Sequence, residues 1–425
     1  MNEVDETYQE PVGGRWRIIF AGIMIHLCLG SIYAYGVLRN PLQEHFESMG
    51  LAPTAMEMTW PFIVFLAFFS ITMPLAGPFI QKYGPMNVSI AGGILCGLGW
   101  IAASFATSPL MLIPLYGVIG GIGVGIAYGA PIAASALWFP DKRGLAVGLT
   151  VLGFGFSSAV ITYVSRFLLD IGWEIMSIFV LFGFAFLTVS LLFSMMLRFP
   201  PQGWRPAGKV VSTSQVEGVK ITRYEMARNT KFKGLYICYT IGALAGLTAI
   251  GISGPVGAEV FENAGMSTTE ASALIFALIL PFAIFNGVGR PAFGTLTDKL
   301  TPKKAAMLTF LLITSACLIM YFGYNSVWAY IICFSILWGC LGGWLAIAPT
   351  ATATFFGMKN YAKNYGIIFT AYGAGAIIGG IVSAQAKDIL GDFQPFFLIV
   401  AALGLIGLLV AWKYLEIEPL APTAD

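Results

Sequence analysis

Long apolar runs alternate with short polar connections along the whole chain. Twelve runs stand out, at about 18–38, 58–80, 86–106, 111–137, 144–167, 175–197, 234–258, 271–296, 305–324, 327–355, 365–386 and 394–415. Each is long enough to cross ~30 Å of hydrocarbon as a helix rising about 1.5 Å per residue. Strands of a membrane barrel would be about 10 residues long with alternating polarity, and that alternation is absent. The pattern predicts an all-α membrane protein of twelve transmembrane helices.

Charge decides orientation. With the N-terminus inside, the inner connections hold Arg15, Arg17, Lys82, Lys142, Arg143, the run from Arg198 to Lys233, Lys299, Lys303, Lys304, Lys359, Lys363 and Lys413. The outer connections hold only Arg39, Arg166 and Lys387. That bias predicts cytoplasmic termini and a multi-pass protein of the cell (inner) membrane. The one long connection, 198–233, carries Pro200, Pro201, Pro206 and eight Lys or Arg. It separates an N-terminal six-helix bundle (1–197) from a C-terminal one (234–425) and reads as a solvated cytoplasmic linker.

Composition narrows the function classes. Of 425 residues, 57% are hydrophobic and 10% charged, against about 25% charged in soluble domains. This argues against a water-soluble enzyme, a disordered tail and a nucleic-acid binder. The 50 glycines suit close helix packing in lipid. No cleavable leader is expected, since residues 1–14 are acidic and polar. Cys28, Cys96, Cys238, Cys317, Cys333 and Cys340 all fall in apolar runs without metal-ligand spacing, and read as small core residues. No G-x-x-x-x-G-K-[ST] loop is present, so an ATP-driven pump is not expected, and no cofactor or metal is predicted.

The chain repeats itself. Pro74-Leu-Ala-Gly77-Pro-Phe-Ile-Gln81-Lys82 after the second run matches Pro291-Ala-Phe-Gly294-Thr-Leu-Thr-Asp298-Lys299 after the eighth. Phe139 pairs with Phe356 at the same offset. A parallel duplication of this kind marks two bundles facing each other. The layout and the G-x-x-x-[D/Q]-K loops resemble the major facilitator superfamily. Gly13-Gly14-Arg15-Trp16, the stretch Trp138-Phe139-Pro140-Asp141-Lys142-Arg143-Gly144-Leu145-Ala146-Val147-Gly148, and Asn286-Gly-Val-Gly-Arg290-Pro291 together resemble its oxalate/formate antiporter and monocarboxylate transporter families. Gln81 departs from the loop pattern where Asp298 keeps it. Asp141, Lys142, Arg143, Asp298 and Lys299 read as gate anchors between helix ends, or as orientation signals alone.

One charge lies deep in an apolar run. Arg290 is eight residues before Asp298, roughly 12 Å along a helix, where a cation is tolerated beside a cavity or counter-ion, the alternative being a long reach to the inner surface. No Asp or Glu lies within a run away from its ends. The natural partner is an anionic substrate, held by the two-pronged guanidinium. The resemblance implies the same role. Asn286, one turn away, either donates to substrate, orients the guanidinium or bonds neighbouring helices. Tyr372 stands where the oxalate carriers have a second cation, which implies a substrate with one carboxylate. Tyr33 and Tyr128 match cavity tyrosines of those carriers, and Phe369 and Trp344 are candidate apolar walls. All four also read as packing aromatics. His26 is the embedded side chain that titrates near neutral pH, either a proton site or a bonded core histidine.

These features predict a functional monomer that carries small monocarboxylates of lactate or pyruvate size together with a proton. The rival readings are a carboxylate exchanger of the oxalate/formate type and a carboxylate-binding membrane sensor. No enzymatic constellation is seen.

Overall fold

A computed structural model describes residues 14–201, 204 and 221–416. Glu3, Asp5, Glu6, Glu10 and Gly13, much of the 198–233 connection, and the side chains of Lys387 and Asp388 lie outside the described residues. Among the described residues every regular element is a helix. Eleven of these segments are long and apolar enough to cross a membrane. One of them, Ala55–Ala103, carries two spans, because Gly84 breaks it at φ 80, ψ 164. Only glycine adopts that conformation without a Cβ clash. The expected loop around Gln81 and Lys82 is therefore a helix end followed by a single breaking residue.

Numbered along the chain, span 1 is Trp16–Ala34, spans 2 and 3 lie either side of Gly84, span 4 is Pro109–Trp138, span 5 Arg143–Asp170 and span 6 Ile175–Ser194. Span 7 is Thr230–Asn263, span 8 Thr268–Lys299, span 9 Pro302–Phe322, span 10 Val327–Phe356, span 11 Tyr361–Leu390 and span 12 Gln394–Tyr414. Several helices outrun their apolar stretch. Span 1 passes through a tight turn at Gly30–Ala34 into a further helix, Tyr35–Ser48. Reciprocal caps, Thr54 with Glu57 and Ser267 with Glu270, start spans 2 and 8, satisfying amides that the apolar residues cannot.

Spans 1 and 5, 3 and 6, 7 and 11, 8 and 10, and 9 and 12 pack together within their own half of the chain. The halves meet where span 5 runs along span 8 and span 2 along span 11. Large apolar side chains such as Leu75, Phe79, Phe105 and Phe322 stand exposed on the outside, as a lipid-facing surface requires.

The span 5–span 8 contact is a backbone seam. A Cβ added to Gly155 would lie 2.7 Å from Gly287 Cα, and one added to Gly148 would lie 2.7 Å from Pro291 Cα and against the Arg290 carbonyl. Gly144 and Gly294 face each other more closely still. Between spans 2 and 11, Gly77 presses on the backbone of Ala362 and Lys363, and Gly366 on that of Met73 and Pro74. The seams draw the two halves together at the end that carries Asp141–Arg143 and Lys299–Lys304, the basic end. Toward the opposite end, Gly36, Gly251 and Gly380 would meet nothing within 4 Å.

Candidate functional site

Arg290 is fully buried between the two halves. Span 8 carries it, and span 5 supplies much of its surroundings. One guanidinium nitrogen donates to the Val151 carbonyl at 2.9 Å, another to Asn286 Oδ1 at 3.0 Å, and Nε has no partner. The guanidinium carbon lies 5.4 Å from the centre of the Phe154 ring, within range of a cation–π contact. Among the described residues no carboxylate pairs with it. Asn286 Nδ2 donates to the Trp338 carbonyl at 2.8 Å. The amide is thus committed on both sides and aims the guanidinium, one helical turn away.

Phenols surround this cation. Tyr33 and Tyr128 are its electrostatic neighbours. The Tyr33 and Tyr372 hydroxyls lie 2.6 Å apart, while that of Tyr128 has no hydrogen-bond partner. Phe369 stacks on Tyr372 at 4.9 Å and lies 5.0 Å from Tyr128. The structure therefore gathers Arg290, Asn286, Tyr33, Tyr128, Tyr372 and Phe369 into one cluster. Trp344 stands one ring back, stacked at 6.0 Å on Tyr239.

His26 is fully buried, edge-on to Tyr128 at 4.9 Å. Its Nδ1 donates to the Gly22 carbonyl at 2.8 Å, and Nε2 faces no partner.

Three aromatic residues that sequence reasoning passed over belong here. Phe69 of span 2 lies 4.9 Å from Phe369, 5.1 Å from Tyr128 and 5.9 Å from Tyr372. Phe154 supports both Arg290 and Tyr33. Tyr239 of span 7 approaches Phe369 and Tyr372. The readable signal was Val151, which shares a helical face with Gly144, Gly148 and Gly155 and has Phe154 one turn beyond it.

The gate anchors divide. Both Asp298 oxygens accept backbone N–H groups at the start of span 5, from Gly144 at 2.8 Å and Leu145 at 2.9 Å. An acid from one half thus caps a helix of the other, with the sign that a helix N-terminus favours. Gln81 Nε2 donates to the Lys359 carbonyl at 3.0 Å, a neutral link at the equivalent place. Asp141 forms a two-pronged ion pair with Arg15, at 2.5 and 3.0 Å. This pair ties span 1 to the 4–5 connection within one half and does not bridge the halves. Arg143 neighbours Asp298 and Tyr361. Lys142 and Lys299 are exposed.

Eleven helices of membrane-crossing length among the described residues, with a buried cation between two packed halves, are the frame of a polytopic membrane protein, and the family comparison makes it a transporter. The chain belongs to the Major Facilitator Superfamily, whose family model matches residues 18–256 and again 239–425. It is 26% identical over 403 residues to the oxalate:formate antiporter of Oxalobacter formigenes, covering 94% of this chain and 91% of that protein. It is 24% identical over 407 residues to monocarboxylate transporter 13 of Bos taurus, covering 94% and 89%. Among solved structures, the proton:xylose symporter XylE superposes with a TM-score of 0.70 at 14% identity, over 95% of this chain and 96% of that one. That likeness speaks for the fold.

Proposed function

We propose that the protein is a secondary active transporter of small monocarboxylates of lactate or pyruvate size, working by alternating access and coupled to a proton. The observation that carries this reading is the Arg290 guanidinium, buried among phenols with neutral partners only. A desolvated cation of that kind is completed by one carboxylate. A second carboxylate would find no second cation among the described residues of the cluster, because Tyr372 presents a hydroxyl. Tyrosines give polar tips on apolar walls, suited to a short hydroxy or keto acid. In this reading residues 1–197 and 234–425 are the two moving units, joined by 198–233. Both termini are cytoplasmic, the protein works as a monomer in the cell membrane, and Arg290 stays charged throughout. A co-transported proton balances the anion, which otherwise enters against about 2.3 kcal/mol per 100 mV of inside-negative potential.

Similarity to an oxalate:formate antiporter favours anion exchange as the second reading. Proteoliposomes separate the two. Lactate accumulation driven by an inward pH gradient, with no internal anion, supports symport. A strict requirement for internal carboxylate supports exchange. Absence of flux for a panel of small acids under both conditions refutes carboxylate transport.

A further inference from the structure

Tyr361, Tyr365, Phe369 and Tyr372 lie along one face of span 11, and their rings form a continuous column. Tyr361 stacks on Tyr365 at 6.0 Å with 8° between planes, Tyr365 meets Phe369 at 6.0 Å, and Phe369 stacks on Tyr372 at 4.9 Å. The column runs from the basic end, where span 11 begins, up to the Arg290 cluster. Tyr239 joins it from span 7, 6.3 Å from Phe369. Tyr128 is an electrostatic neighbour of both Tyr361 and Tyr365.

This column carries an unusual concentration of unmet polar atoms. The hydroxyl of Tyr361 and Nε of Arg143 beside it are buried without a hydrogen-bond partner, and the hydroxyls of Tyr239 and Tyr365 have each other as close neighbours but form no well-aligned bond. Tyr239, Tyr361 and Tyr365 are 0%, 2% and 1% exposed. Buried polar groups in folded proteins are nearly always paired, and a cluster of exceptions needs a reason. Pure packing would be served as well by phenylalanine. Each of these groups has an N–H or O–H to donate, so the complementary species is an acceptor. With a guanidinium at the lower end, that acceptor is an anion.

We propose that Arg143, Tyr361 and Tyr365 form a second carboxylate station on the way from Arg290 to the basic end, used only when that end is open. The proposal rests on the carboxylate reading above and adds a second site to it. In the closed arrangement Asp298 caps span 5 and neighbours Arg143, so the guanidinium already has an acid nearby. Opening the basic end withdraws Asp298 with span 8, and the start of span 11 moves with it, since both belong to the C-terminal half. Arg143 on span 5 then faces Tyr361 and Tyr365 across the opened gap without that carboxylate, and a substrate carboxylate spans the two walls. Release of the gate and creation of the station are one event.

The test uses the full chain in right-side-out and inside-out vesicles, with labelled lactate as the probe at equal pH on both sides. Tyr361→Phe combined with Tyr365→Phe keeps every ring and removes two donors; Arg143→Lys keeps the charge and removes the fork. For each, the station predicts about a tenfold rise in KM for lactate presented at the basic face, the scale of a lost bond to a charged group. KM at the opposite face changes less than about twofold. Maximal rate at the basic face rises in proportion, since a passive carrier keeps the same ratio of rate to KM from both faces. A KM unchanged at both faces, or raised equally at both, overturns the station while leaving Arg290 as the substrate site. No wild-type lactate flux in either vesicle overturns the carboxylate reading and the station with it. Loss of the double variant from the membrane is met by each single Tyr→Phe variant, judged by the same two KM values.

Discussion

The hydroxyls of Tyr33 and Tyr372 meet at 2.6 Å, joining span 1 to span 11 across the interface between the two halves. A bond of this kind contributes about 1 kcal/mol net. It exists only while these parts of the halves are together. Tyr372→Phe removes it and leaves the stacked ring on Phe369 in place. The expected outcome is an approximately fivefold shift toward the arrangement in which spans 1 and 11 separate. A cysteine replacing Ala34, buried beside Tyr33, would report it through faster thiol labelling. An unchanged rate would show that the bond does not restrain the halves.

Charge at the same position sets selectivity. Tyr372→Lys places a second cation in the Arg290 cluster, beside Tyr33, so oxalate should change from a poor to an effective competitor of lactate uptake. Strong oxalate competition against the unmodified protein would contradict a one-cation site.

Arg290 is bonded to Val151 and Asn286 through different nitrogens, a geometry that an ammonium cannot copy. Arg290→Lys and Arg290→Gln should each lower uptake by about a hundredfold or more, the scale of a charge-assisted two-pronged pair. Both should elute as monodisperse protein in detergent. Near-normal uptake by either would remove Arg290 from the binding site.

The Asp298 cap predicts a mild gate phenotype. Asp298→Asn keeps a side-chain oxygen but loses the charge facing the span 5 terminus, at a cost of about 1 kcal/mol. A cysteine introduced at Val147, buried in the seam, should then label about fivefold faster from the basic face. The six native cysteines are all buried, which keeps the background low. Identical labelling would show that the glycine seam alone holds this end shut.

His26 is a poor place to load a proton, because it is fully buried and no carboxylate pairs with it among the described residues. His26→Gln should leave acid-driven lactate accumulation intact, the proton travelling with the substrate carboxylate. If the variant exchanges lactate but no longer accumulates it, His26 is the proton site.

Some of this was legible from residues alone. Arg290 stands out because a cation in an apolar run is costly, and Asp298 because the repeat places it at a helix end. The spans were readable from hydropathy, but their ends were not: span 7 continues to Asn263, where the chain is no longer apolar. The Thr54–Glu57 and Ser267–Glu270 pairs were signals of those ends that hydropathy ignores. Phe69 and Phe154 were hidden for a different reason. In a membrane helix both the lipid face and the cavity face are apolar, so an aromatic residue does not announce which way it points. Asn286 was ambiguous until the Trp338 carbonyl was seen to occupy its amide.

Gly148 rests against the backbone of Arg290 and Pro291, so the residue proposed to grip the cargo is itself mounted on the sliding surface. A carrier leaks when its gate moves without its load. Here the basic end cannot part along span 5 without displacing the stretch of span 8 that bears the guanidinium, and the Val151 bond must break in the same motion. Slippage would require span 8 to bend between Arg290 and Asp298. The stiffness of that two-turn stretch therefore sets how faithfully gate movement stays tied to the occupancy of the site.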